Sequence, residues 1–154
     1  MSSPDVSVDL EDVSGAVGVP SAPQFQRWAE AAFAGRRDAA ELSIRVVGEP
    51  EAAELNGRYR GKPYATNVLS FPAELPAGVP VPAVGDLVIC ATVVAREAAE
   101  QGKSVEAHWA HLTVHGCLHL IGYDHEDDSQ AMQMEPLETA ILAGLGFPDP
   151  YQGA

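Results

Sequence analysis

The sequence predicts one α+β domain over residues 1–154, in which a small, mostly mixed four-stranded sheet packs against about five helices. Three observations lead there. Segments alternating with period two are interleaved with segments of helical period, in the order β-α-β-α-β-β-α-α-α. A chain of 154 residues, 46% hydrophobic and 20% charged, suits a single domain with a modest core. Only short Gly/Pro loops interrupt the pattern, with no internal repeat.

The elements follow in order. "VSVDL" places Val6, Val8 and Leu10 on one side of a strand. "SAPQFQRWAEAAFAGR" opens on a serine cap and puts Phe25, Trp28, Ala29 and Ala32 on one helical face. "ELSIRVVG" is a second strand, with Leu42, Ile44 and Val46 pointing one way. "EPEAAELNGRYRG" is a short helix, acidic at its start as the dipole favours, expected to run out near Gly57. "TNVLSFP" and "GDLVICA" are strands joined by the Pro-rich loop "PAELPAGVPVPAVG". A helix covers about Thr92 to Gln101. The most strongly periodic helix, "SVEAHWAHLTVHGCLHLIG", is capped by Ser104 and stopped by Gly122. In the last stretch, "SQAMQMEPLETAILAGLG", Pro136 either breaks a helix or sits in the first turn of a second one.

Composition narrows the function. The net charge of −13 argues against nonspecific nucleic-acid binding over the whole surface, but leaves room for a local basic patch at Arg58, Arg60 and Lys62. The most apolar run, "DLVICATVVA", is too short to span a bilayer. "MSSPDVSVDLED" has no basic segment followed by an apolar one, so no signal peptide is expected. Two cysteines, Cys90 and Cys117, make no disulfide framework and suit reduced thiols in a cytoplasm.

The five histidines all fall between His108 and His125. On a helix, residues four apart stand one above the other, so His115 and His119 can aim both rings at one point. Gly122 then permits a left-handed turn, after which His125 can return as a third ligand. Three neutral imidazoles leave Zn²⁺ its full charge and a fourth position open, the arrangement of catalytic zinc, here at the end of a central helix. Nickel or copper also suits three imidazoles. Isolated histidines on an amphipathic helix are the plainer alternative, but the spacing His-x-x-x-His-x-x-Gly-x-x-His is hard to reach by accident.

That spacing matches metzincin proteases, whose general base is a Glu directly after the first histidine. Here Gly116 occupies that position, which weakens a peptidase reading. His111, four residues before His115, is a candidate to support a ligand or touch substrate; a plain buried histidine fits as well. His108 is expected to face solvent. Asp124 can orient the His125 imidazole or cap the turn. Glu126, Asp127 and Asp128 read as a solvated acidic helix start. Cys117 points about 160° away from His115 round the helix and reads as core.

With these residues in view, "HGCLHLIGYDH" (His115 to His125) resembles the zinc motif of the YbeY family of ribosomal-RNA maturation endoribonucleases. "LNGRYRGKPYATNVLSFP", Leu55 to Pro72, resembles the family's other hallmark, and "GDLVIC", "EAAEQGKS" and "MEPLETAILAGLGF" follow in register. The resemblance covers about Leu42 to Tyr151. Ala65, where proline is often found, and Pro136, in a segment usually helical throughout, depart from the pattern.

The resemblance implies a metal-dependent, single-strand-specific endoribonuclease acting on ribosomal RNA in the cytoplasm, in 3′-end maturation of the small-subunit RNA and ribosome quality control. It implies one Zn²⁺ per chain on His115, His119 and His125, with the small ribosomal subunit as partner and neither DNA nor membrane expected. Arg60 matches the family's functional arginine, and His111 is a further catalytic candidate. Arg58 and Lys62 would add affinity for the RNA backbone. The alternatives are a zinc metallopeptidase-like hydrolase on the same ligands, and a noncatalytic ribosome-assembly factor whose zinc is structural.

Overall fold

The computed structural model describes residues 4–73, 82–123 and 128–151. Its elements come in the expected order: β1 (Asp5–Asp12), α1 (Ala22–Phe33), β2 (Ala39–Val47), α2 (Glu49–Arg60), β3 (Val68–Pro72), β4 (Ala83–Cys90), α3 (Ala91–Gln101), α4 (Val105–Leu120) and α5 (Asp128–Gly144). The four strands form one sheet in the order β1-β2-β4-β3. β1, β2 and β4 are parallel, and β3 joins β4 antiparallel, leaving β3 as an edge strand.

Strand alternation divides the apolar residues between two faces. Leu42, Ile44, Leu87 and Ile89 belong to the large core with Phe25, Trp28, Trp109 and Leu118 of α1 and α4. Val47, Leu69, Val88 and Cys90 form a smaller cluster with Ala52 of α2 and Val93 of α3. The sheet is thus covered on both sides, and α4 lies within the larger layer, touching α1, α3, α5, β3 and β4.

Local chemistry sets the helix ends. Ser21 and Gln24 form a reciprocal capping box at the start of α1. Ser104 Oγ accepts from the Ala107 N–H at 3.0 Å and caps α4. At its other end the Gly122 N–H reaches the His119 carbonyl at 3.1 Å and the Tyr123 N–H reaches the Leu118 carbonyl at 3.0 Å, with Gly122 at φ 107°. This Schellman pair ends the helix where Gly122 was expected to stop it.

Two boundaries differ from expectation or resolve it. α2 does not run out near Gly57 but continues to Arg60 and ends on left-handed Gly61. The reason is tertiary: the chain folds back over the helix, so a Cβ on Gly57 would sit 3.6 Å from Pro63 Cα, and the Asn56 amide donates to the Tyr64 carbonyl at 2.8 Å. In α5, Pro136 is accommodated inside one continuous helix.

Candidate functional site

A cleft of about 930 Å³ runs along β3, lined by Tyr59, Arg60, Asn67, Ser70, His115 and His119 among others. The extra turn of α2 carries Tyr59 and Arg60 to it, and α4 brings the two histidines. The face of β3 that packs under α2 and the face that packs under α4 therefore meet at the edge of β3 that no described strand covers, with the arginine and the imidazoles lining the same cleft.

The Nε2 atoms of His115 and His119 lie 3.1 Å apart. Two nitrogens bound at 2.0–2.1 Å to one tetrahedral cation would be separated by about 3.3 Å. The opposite ring atom of His115, Nδ1, donates to Glu138 Oε1 at 2.7 Å. Glu138, on α5, is fully buried and also accepts from His111 Nε2 at 2.9 Å and from the Tyr151 hydroxyl. Burial pushes the Glu138 carboxyl up, but the hydrogen bonds from His111, His115 and Tyr151 outweigh it and hold the group well below the usual carboxylate range. An ionised carboxylate fixing the tautomer of an imidazole is a common support for metal ligands. His111, His115 and Glu138 also bring one donor atom each within 4.8 Å of the others, so the site is compatible with a metal.

Of the residues expected to matter, His115, His119 and Arg60 line the same cleft. Arg58 is absent from its lining and pairs with Glu54 at 2.8 Å, and Lys62 is exposed on the loop that follows. His111, with 12% of its side chain exposed, lies behind His115 and reaches it through Glu138. Asp124, His125, Glu126 and Asp127 lie outside the described residues. Cys117 is fully buried, and burial pushes its thiol far above the ordinary range, as suits a core residue.

His108 corrects an expectation. It does not face solvent but is 3% exposed, because α3 packs beside it and offers Glu97, whose Oε1 lies 2.9 Å from His108 Nε2. The same oxygen accepts from Asn67 Nδ2 at 3.0 Å, which anchors the start of β3 at the cleft.

Gly116 has a packing reason. A Cβ at this position would meet Leu87 Cδ2 at 2.7 Å, so the helix reaches the sheet only with no side chain here. A peptidase-type glutamate after His115 would have to enter that contact.

Glu138 and Tyr151 were not anticipated. The signal for Glu138 was present: Met134, Glu138 and Leu142 are four apart, and a lone acid in the middle of a buried stripe calls for a partner.

Among the described residues, no helix is long and apolar enough to cross a membrane. The solution structure of a protein from Thermotoga maritima superimposes with a TM-score of 0.58 at 22% identity, covering 93% of this chain and 99% of that one, which shows the shared fold. Proteins named endoribonuclease YbeY from Xanthomonas axonopodis pv. citri and Stenotrophomonas maltophilia are 64% and 62% identical over 140 residues, covering 88% of this chain and 87% of each relative. The family model of endoribonuclease YbeY matches residues 18–146, taking in α1 through the last turn after α5. With both hallmark segments meeting at one cleft and that match spanning most of the chain, the protein belongs to the endoribonuclease YbeY family.

Proposed function

We propose that the chain is a zinc-dependent endoribonuclease that cuts single-stranded segments of ribosomal RNA in the cytoplasm, in 3′-end maturation of the small-subunit RNA and in ribosome quality control. The observation that carries this reading is the placement of Arg60 in one cleft with His115 and His119. His115, His119 and His125 are the proposed ligands of one Zn²⁺. The donor chemistry suits it: two Nε2 atoms converge at near-chelating distance, and the Nδ1 of His115 is already held by a buried carboxylate. Glu138 is thereby assigned to orienting His115, and His111 and Tyr151 to holding Glu138.

RNA cleavage builds negative charge on the equatorial phosphate oxygens. A cation bound here supplies Lewis-acid stabilisation of that charge and lets water act at neutral pH without a carboxylate base, so Gly116 is no handicap. Arg60 presents a planar fork of donors to the phosphate and holds it in register with the histidines. Asn67, fixed through Glu97, keeps the β3 wall in place. Lys62, exposed on the loop after Arg60, attracts the incoming backbone, and Arg58 does so only by exchanging its pairing with Glu54 for a phosphate.

The net charge of −13 limits affinity for naked RNA and makes it strongly salt-dependent, so the small ribosomal subunit is the proposed source of the remaining affinity. The deciding experiment is metal analysis and precursor-RNA cleavage for wild type and His119→Ala side by side, with casein as a control. The proposal expects one bound zinc and RNA cleavage in the wild type, and loss of both in the variant. Casein turnover with RNA untouched would establish a peptidase; zinc-dependent folding with no hydrolysis of either would establish a structural zinc.

A further inference from the structure

Tyr59 is not used by the mechanism above, yet it stands beside Arg60 on the last turn of α2, 59% exposed. Its ring meets Phe71 edge to face, with centroids 5.1 Å apart and planes at 70°, and both residues line the cleft that holds His115 and His119. The ring is thus held on the side of Phe71 and the residue stays open to solvent over more than half of its surface. Phe71 is itself only partly buried, so the two rings form an aromatic step on the wall of the cleft.

The strand between the two aromatic residues and the histidines adds a polar complement. The Cys90 N–H donates to the Asn67 carbonyl at 2.9 Å and the Ala73 N–H to the Val84 carbonyl at 3.1 Å. With Leu69 opposite Val88 and Phe71 opposite Asp86, the antiparallel alternation places the ladder bonds at the odd-numbered residues and turns the N–H and C=O of Ser70 away from β4, to the edge that no described strand covers. Ser70 lines the same cleft. A donor and an acceptor side by side match the Watson–Crick edge of a nucleobase, which is available only when that base is unpaired.

We infer that Tyr59, backed by Phe71, is the stacking platform for one unpaired nucleobase next to the phosphate held by Arg60, with the backbone of Ser70 facing that base's edge. The inference rests on the nuclease reading and deepens it. It makes single-strand preference a consequence of the site: a base inside a duplex has both its faces and its pairing edge occupied. Stacking tolerates all four bases, so little sequence preference arises here.

The test uses the full-length, zinc-loaded chain and a single-stranded oligoribonucleotide, with an abasic residue placed at each position in turn around the cut. Wild type, Tyr59→Phe and Tyr59→Ala are compared in KM and kcat, and thermal unfolding confirms that each is folded. Removing a base–aromatic stack weakens binding by roughly 5- to 150-fold. The expected result is a KM for Tyr59→Ala raised by that factor with kcat little changed, and near wild-type values for Tyr59→Phe. One abasic position should cost the wild type at least that factor and cost Tyr59→Ala much less, since only the contact with Ser70 remains to be lost. An unmoved KM in Tyr59→Ala, or a full abasic penalty retained by it, overturns the platform while leaving the nuclease standing. A wild type indifferent to abasic substitution at every position does the same without any variant. A wild type that cleaves no RNA overturns both readings.

Discussion

The carboxylate of Glu138, with no exposure to solvent, lies 2.7 Å from Nδ1 of His115 and so dictates which nitrogen of that ring faces the cleft. Nε2 is left pointing at His119. Glu138→Gln keeps the shape but loses the charge, and an amide cannot accept from His111, His115 and Tyr151 at once while hiding its own two N–H donors. The expected outcome is a folded variant whose zinc affinity is ~10–100-fold weaker, read by competition with a chromophoric chelator. An unchanged affinity would remove Glu138 from the site's support.

Arg60 acts on the substrate rather than on the metal. Arg60→Ala should therefore keep its zinc and lose on the order of 10²-fold in RNA cleavage, the cost of removing a donor aimed at developing charge. Arg60→Lys should recover only part of it, because an ammonium cannot offer the planar two-point contact. Metal content and cleavage measured on the same preparations separate this from a structural effect; equal loss of both would assign Arg60 to the fold.

How much of this was legible in the sequence depends on how local each cause is. The pairing of His115 with His119 and the stop at Gly122 follow from helical spacing and one cap, and both were readable. The burial of His108 was not, because it depends on Glu97 of a neighbouring helix. Gly57 was misread as a helix end for the same reason: a residue with low helix propensity stays helical where Lys62 and Pro63 pack back over it. Glu138 belongs between these cases, since its apolar stripe was visible and its partners on α4 were not.

Gly116 tests whether the helix is held against the sheet by the lack of a side chain. Gly116→Ala gains about 1 kcal/mol of helix propensity, but its Cβ would meet Leu87 Cδ2 at 2.7 Å in a fully buried position. Overpacking of a core costs typically 1–3 kcal/mol. The expected net effect is a lower unfolding free energy in urea, with a smaller loss in a Leu87→Ala background, where the contact is removed. Gly116→Glu should be worse still, burying a carboxylate against leucine, and should show no casein turnover. Identical losses for Gly116→Ala in both backgrounds would mean that the contact with Leu87 is not the cause.

His108 predicts the pH dependence of stability. Burial lowers its pKa below the ordinary imidazole value of 6.5, and the hydrogen bond with Glu97 offsets this only in part. The unfolded chain therefore takes up a proton near pH 6.5 that the folded chain resists. The sign follows: stability is full above the unfolded value and falls as the pH drops below about 6.5, with a slope of at most about 1.4 kcal/mol per pH unit from this one group. His108→Gln keeps a donor for Glu97 and has no such proton. Its unfolding free energy, measured on chelator-treated protein between pH 5 and 8 so that metal release does not contribute, should be flatter than that of the wild type below pH 6.5. Parallel curves for the two proteins would place the acid sensitivity elsewhere. A wild-type curve that instead rises as the pH falls would mean that the bond to Glu97 dominates burial and that His108 is charged in the folded chain.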